Sequence, residues 1–305
     1  MVSRRSGPRS AVAVRAAAGM LGVAAVVTST GCAEHGAEAG SMLADDHLAT
    51  VRQAADRLER AGTSRTRTLL RTASGGTRVS IAGEGRFDYE QRRGTITVTP
   101  PDEEHGGSGG VPITELVTPG ALYMRNRGAG VPDGTWVRVD TTRLADGNLL
   151  SNGATDPLRA AELLRGADEV SYEGEERIGG TRVGHYRGSA TLGRAARGAR
   201  ASVRPEARTG SRTAEGSARQ LRAAAEGIQP DGFAFDAWFD RAGRLRKVRH
   251  RFESVSVTST TTMYDFGVPV TVRMPDPADI FTGRIATPGD PGSGGPGAGA
   301  GAGPA

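Results

Sequence analysis

The stretch Phe233–Pro275 reads FAFDAWFDRAGRLRKVRHRFESVSVTSTTTMYDFGVPVTVRMP. Phe233, Phe235, Ala237 and Phe239 alternate with Ala234, Asp236, Trp238 and Asp240. This period of two is that of a strand with two unlike faces. Asp240-Arg-Ala-Gly243 supplies turn chemistry, with Gly243 free to take positive φ. A second alternating run starts at Leu245, and a third passes through the Ser/Thr-rich segment to Tyr264 and Phe266. Three sequential antiparallel strands make one sheet, and its apolar face must cover something.

The composition bounds what that can be. The chain has 305 residues, 37% of them hydrophobic and 5% aromatic, with 45 glycines. Such a balance suits a Gly- and Arg-rich β protein with disordered segments better than an all-helical one. The formal net charge is +5, but residues 1–31 hold Arg4, Arg5, Arg9 and Arg15 and no acid. The remainder carries 35 basic against 34 acidic residues. A near-neutral mature chain lacks the electrostatic footprint of nucleic-acid binding, and no nucleic-acid partner is expected. The cluster Arg244–Arg251 is read as a strand with a solvated cationic face that could meet anionic lipid headgroups.

Residues 1–31 read as a lipoprotein-type signal peptide. A basic start precedes an apolar run, about Ala16 to Val27, too short to span a bilayer comfortably. Ser29-Thr-Gly-Cys32 closes it, and Cys32 is the only cysteine, so no intramolecular disulfide can form. The placement resembles a bacterial lipobox, in which the cysteine receives a diacylglyceryl group. Gly31 and Cys32 match it, and Ser29 stands where the resemblance has Leu. Arg4-Arg5 leaves the export route open between the general and twin-arginine pathways. Residues 32–42 are a polar tether, and the Gly/Pro/Ala tail 283–305 has nothing to bury.

Between them, 43–282 reads as one domain. Leu43–Ala61 carries apolar residues at helical spacing and stops at Gly62. Strands are expected at Thr66–Thr72, Val79–Tyr89, Thr95–Thr99, Ile113–Val117, Leu122–Asn126 and Thr135–Asp140. Gly83 and Gly85, on the apolar parity, bend the sheet or leave room above it. Asp156 caps a helix with Pro157 at its first position and Gly166 beyond its end. Glu169–Ile178 and Arg182–Leu192 pair around the Gly179-Gly180 turn, and Thr213–Gly227 forms a further helix. Gly193–Ser211 is read as a flexible insertion. The fold class is α+β, a large antiparallel sheet with a few helices.

Chemistry is scarce. The histidines at 35, 47, 105, 185 and 250 show no metal-ligand spacing, and a lone cysteine excludes thiolate metal sites. No nucleophile elbow, phosphate loop or dinucleotide fingerprint occurs. Adjacent acids such as Glu175-Glu176 face opposite ways on a strand. No enzymatic activity, cofactor or metal is expected. An unrecognised hydrolase would need pocket groups converging on His185 or His250.

The Phe235–Arg249 and Tyr264–Pro275 segments resemble those of actinobacterial lipoproteins of the LppX/LprG type, within the wider LolA/LolB-like carriers. Leu122-Tyr-Met, Asp133-Gly-Thr-Trp-Val-Arg-Val139 and the helix at Leu158–Leu164 follow in the same order. The resemblance implies a curved half-barrel closed by helices around an apolar cavity, which binds or carries a lipid or acylated ligand. It also implies a closing strand at Tyr264–Pro275 and, through Cys32, a palmitate-bearing anchor on the extracytoplasmic face of the cell membrane. Val79, Ile81, Phe87, Tyr89, Phe233, Phe235 and Phe239 become candidates to line that cavity; otherwise they fill a dry core. A monomer is expected, and an envelope-protein partner belongs to the alternative, a sensor or interaction module like the anti-sigma regulators.

Overall fold

A computed structural model describes residues 46–74, 77–99, 111–126, 131–146, 149, 156–202 and 208–282, without the side chains of 74, 77 and 208–214. All lie in one compact unit spanning Ser41–Ala305. Cys32, the signal segment, the tether and the tail lie outside the described residues.

The strands come in two runs. The first comprises β1 (Thr63–Ser74), β2 (Thr77–Asp88), β3 (Arg93–Thr99), β4 (Ile113–Thr118), β5 (Ala121–Arg125) and β6 (Trp136–Asp140). The second comprises β7 (Ala167–Ile178), β8 (Thr181–Thr191), β9 (Gly232–Asp240), β10 (Leu245–Phe252) and β11 (Val257–Tyr264). One antiparallel sheet holds all eleven in the order β6-β5-β4-β3-β2-β1-β11-β10-β9-β8-β7. The two meanders join where β1 pairs with β11, Thr68 opposite Thr261. The opening stretch therefore lies mid-sheet, with Gly243 at φ +73° in its turn. Asp240 fixes that turn, accepting the Ala242 and Arg244 amides at 3.0 Å each.

Eleven strands laid flat would span roughly 50 Å. Yet Ile96 and Val137 from one wing share a single core with Phe235 and Leu245 from the other. The sheet is therefore curved, with its concave face inward, and the expected half-barrel is present. Glycine permits the tight strand approach: a Cβ on Gly85 would lie 2.0 Å from the Thr95 carbonyl oxygen.

Helices cover the concave face. A helical stretch at 46–52 passes through a turn at Gln53 into α1 (Ala54–Ala61), which buries Ala54, Ala55 and Leu58. In α2 (Pro157–Leu163) Asp156 is the N-cap, accepting the Leu158 and Arg159 amides at 2.9 and 3.1 Å. The remaining two are α3 (Leu192–Ala201) and α4 (Arg208–Gly227).

Two sequence expectations are corrected. Residues 192–201 are helical where a flexible insertion is expected; Leu192, Ala195, Ala196 and Ala199 are buried. Their spacing is that of a helix face, written in alanine among arginines, so the apolar signal is faint. Residues 203–207 lie outside the described ones. The segment after Tyr264 is not a closing strand either. Asp265 and Gly267 take φ of 49° and 85° and turn the chain out of the sheet. It then crosses the outer surface near Glu84 and Thr97 and meets β6 only at an isolated bridge, Trp136 to Ile280. Pro269, Pro275 and Pro277 cannot donate to a ladder.

Candidate functional site

A cleft of about 310 Å³ opens between α2, α4 and the β4–β5 turn. Val117, Ala121, Leu122 and Leu158 supply its apolar lining, and Arg92, Arg159, Glu162, Ser217, Arg219 and Gln220 its polar side.

The polar side is built on Glu162, whose side chain is 3% exposed. Arg92 leaves the β2–β3 turn with φ 51° and places its guanidinium 2.8 Å from Glu162 Oε1 and 2.6 Å from Glu59 Oε1. Arg159, one helical turn before Glu162, lies 3.1 Å from its Oε2. The Ser217 hydroxyl donates to Oε1 at 3.0 Å. Arg159 also donates to Gln220 Oε1, and the Gln220 amide donates to Thr141 Oγ1 at 2.9 Å. Burial alone would push the Glu162 carboxyl up; Arg159, Arg92 and Arg165 outweigh it and hold the group below its ordinary value. The same pairing raises Arg92 despite its burial. A buried charge is tolerated only when paired in this way, and the network clamps α1, α2, α4 and the β2–β3 turn together. The arrangement can seat an amphiphile: a chain on the leucine side, a polar head among guanidinium and hydroxyl groups.

The seven residues expected to line a cavity sit elsewhere. Phe87, Tyr89, Phe233 and Phe235 are buried in the common core, with Tyr89 sharing a 2.6 Å hydrogen bond with Ser64. Val79 and Ile81 are half-buried further along β2. Phe239 is buried and also forms one wall of an open groove of about 430 Å³ with His47, Tyr172, Tyr186 and Arg57. Tyr172 and Tyr186 stand 5.3 Å apart there, each within 6 Å of His47.

Neither histidine named with the hydrolase reading lines the cleft. His185 is on the outer face, stacked on Trp238 at 4.5 Å, with Asp236 and Glu176 on its two ring nitrogens at 3.0 and 2.9 Å. His250 is on the concave face, 1% exposed, and its Nε2 has no hydrogen-bond partner. Among the described residues no cluster of His, Cys, Asp and Glu could hold a metal, and no helix is long and apolar enough to cross a membrane.

The Arg92–Glu162–Arg159 network escaped sequence reading. Arg159 and Glu162 lie three apart on a helix already expected, which was a local signal, but Arg92 and Glu59 are joined to them only by the fold.

No family model and no curated protein matches the chain. Among solved structures it is similar to the lipoprotein LppX of Mycobacterium tuberculosis, with TM-score 0.46 and 13% identity over 75% of this chain and 99% of that one. LprF from Mycobacterium bovis follows at 0.41 and 12%, over 76% and 97%. A putative outer membrane lipoprotein-sorting protein domain from Vibrio parahaemolyticus stands at 0.27 and 9%, over 74% and 94%. LppX belongs to the group that the C-terminal motifs resemble. The fold assignment itself rests on the eleven-stranded sheet, and no residue role passes from these proteins to this chain.

Proposed function

We propose that this chain is an extracytoplasmic lipoprotein, anchored to the cell membrane through Cys32, that binds a lipid or acylated ligand non-covalently. The amphipathic cleft between α2, α4 and the β4–β5 turn supports this reading, since it sets leucine and valine beside guanidinium groups. Each methylene buried there is worth ~0.8 kcal/mol, so burial of a single acyl chain suffices for selective loading. The role assigned is binding, with no catalytic step.

The test is native mass spectrometry of the full chain from its own host beside a Gly216→Trp variant, whose side chain would enter open space at the cleft lining. Wild type is expected to carry the mass of a lipid that is released on denaturation, in addition to the covalent anchor, and the variant to lose it at an unchanged melting temperature. Recovery of wild type without lipid, or equal loading of both, overturns the proposal. Labelled palmitate should enter the wild-type chain and not Cys32→Ser.

The dense concave face favours a second reading, an envelope interaction module. Phe87, Tyr89 and Phe235 are at most 1% exposed, so the core interior itself offers no acyl-chain tunnel at those side chains. Stoichiometric co-purification of one membrane protein with an empty cleft would select that reading.

A further inference from the structure

We infer that the outer, convex face of the sheet, at its central strands β10, β11, β1 and β2, docks on an anionic phospholipid bilayer. A curved sheet meets a plane along its middle strands, and these four are the middle of the eleven.

The register places cations there in rows. On β10, Lys247, Arg249 and Arg251 alternate outward, opposite Thr262, Thr260 and Thr258 of β11. Beyond those threonines lie Arg67 and Arg71 of β1, opposite Thr262 and Thr258. Strands two apart stand roughly 10 Å from each other, so the two basic rows flank a narrow floor of hydroxyls.

The acids within this region are already neutralised. Glu84 is taken by Arg67 at 3.1 Å and by the Tyr264 hydroxyl. Asp236 is taken by Arg251, Arg187 and His185, whose combined hydrogen bonds outweigh burial and hold its carboxyl below the ordinary value. Arg71, Arg86, Lys247 and Arg249 have no carboxylate partner among the described residues. Arg71 is exposed, and Arg86 is exposed beside the segment that crosses the outer surface, lining a gap with Pro269, Val270 and Thr271. Lys247 and Arg249 are half-buried and lie over the Trp238 ring at 4.6 and 5.8 Å. Burial, and then the neighbouring Arg249 charge, keep the Lys247 ammonium below its ordinary value, although Glu176 and Asp236 pull the other way.

A repeated anion on a flat surface answers this pattern better than one bound ion, because the unpaired cations are spread over three strands rather than converging. The hydroxyl floor adds donors for phosphate oxygens. Docking here would leave the helices and the cleft on the side away from the bilayer. The inference uses the envelope location proposed above and is independent of the ligand cleft.

The experiment is vesicle co-sedimentation of the full chain carrying Cys32→Ser, which removes the acyl anchor. Vesicles of phosphatidylcholine alone are compared with vesicles containing about 30% phosphatidylglycerol, a content that gives a substantial negative surface potential. Two double variants are tested in the same background: Arg71→Gln with Arg249→Gln, and Arg71→Gln with Arg86→Gln, the second leaving the Trp238 stack untouched. Each cation near such a surface contributes about 1 kcal/mol, so each pair is expected to weaken partitioning about 30-fold. Binding of the parent should also fall steeply between ~0.1 and ~0.5 M salt. Equal partitioning of parent and both variants, or equal binding to neutral vesicles, overturns the inference. Gly216→Trp, which fills the cleft from open space, should bind vesicles as the parent does, so failure of the cleft reading and failure of this one are told apart.

Discussion

His250 offers the sharpest test of how this core is assembled. Its imidazole is on the concave side of β10, 5.5 Å from the Phe233 ring and opposite Ser259, with no hydrogen bond to Nε2. Burial alone lowers its pKa from 6.5 to about 3, so the folded protein holds it neutral. The unfolded chain takes up a proton near pH 6.5 while the folded chain does not. Stability is therefore full above pH 6.5 and is lost progressively as pH falls toward 3, at ~1.4 kcal/mol per pH unit. At pH 4.5, two units below the unfolded value, the loss is about 3 kcal/mol. With a urea m-value of ~2–3 kcal/mol/M, that moves the unfolding midpoint by about 1 M. The assay is urea unfolding of wild type and His250→Leu between pH 7.5 and pH 4.5, since carboxylates common to both cancel in the difference. Wild type should lose stability on acidification faster than the variant by that amount. Parallel curves would refute the reasoning. So would an imidazole proton resonance of folded wild type that titrates near 6.5, a readout that needs no variant.

Two further outcomes follow from the packing. Glu162→Gln strips the carboxylate from Arg92 and Arg159 while both stay buried; a loss of ~3–5 kcal/mol in unfolding free energy is expected, and a loss under ~1 kcal/mol would show the network to be solvated. Ala195→Asp puts an unpaired charge on the buried face of α3 and should lower the melting temperature by several degrees at least, whereas Arg194→Ala, on the exposed side, should change it little; equal small effects would restore the flexible-loop reading of that segment.

Local signals carried most of the elements. The alternation at Phe233–Asp240, the Asp240–Gly243 turn, the paired glycines at 179 and 180 and the Asp156 cap all appear where their chemistry put them, because each depends on residues a few positions apart. The alanine face of α3 was harder to read, since a methyl group gives little contrast against arginine. The segment after Tyr264 has strand-like alternation, yet it leaves the sheet, because backbone turns at Asp265 and Gly267 take it past β1 rather than beside it. The candidate site was less legible still. Arg92 from the β2–β3 turn, Arg159 from α2 and Ser217 from α4 meet at Glu162, with Glu59 of α1 behind Arg92; apart from the three-residue step between Arg159 and Glu162, no spacing in the chain links them.

The Phe233–Pro275 stretch shows the division most clearly. By itself the sequence determined that it forms antiparallel strands with an apolar face and a basic one, since period-two alternation is a property of neighbouring residues. Only the tertiary structure decided that β11 would pair with β1, which puts those strands at the centre of the sheet and closes the core beneath them. That pairing joins residues almost two hundred positions apart, Thr68 and Thr261 among them. It is set by which curvature buries the whole apolar face at once, and a collective quantity of that kind has no signature in any short stretch of chain.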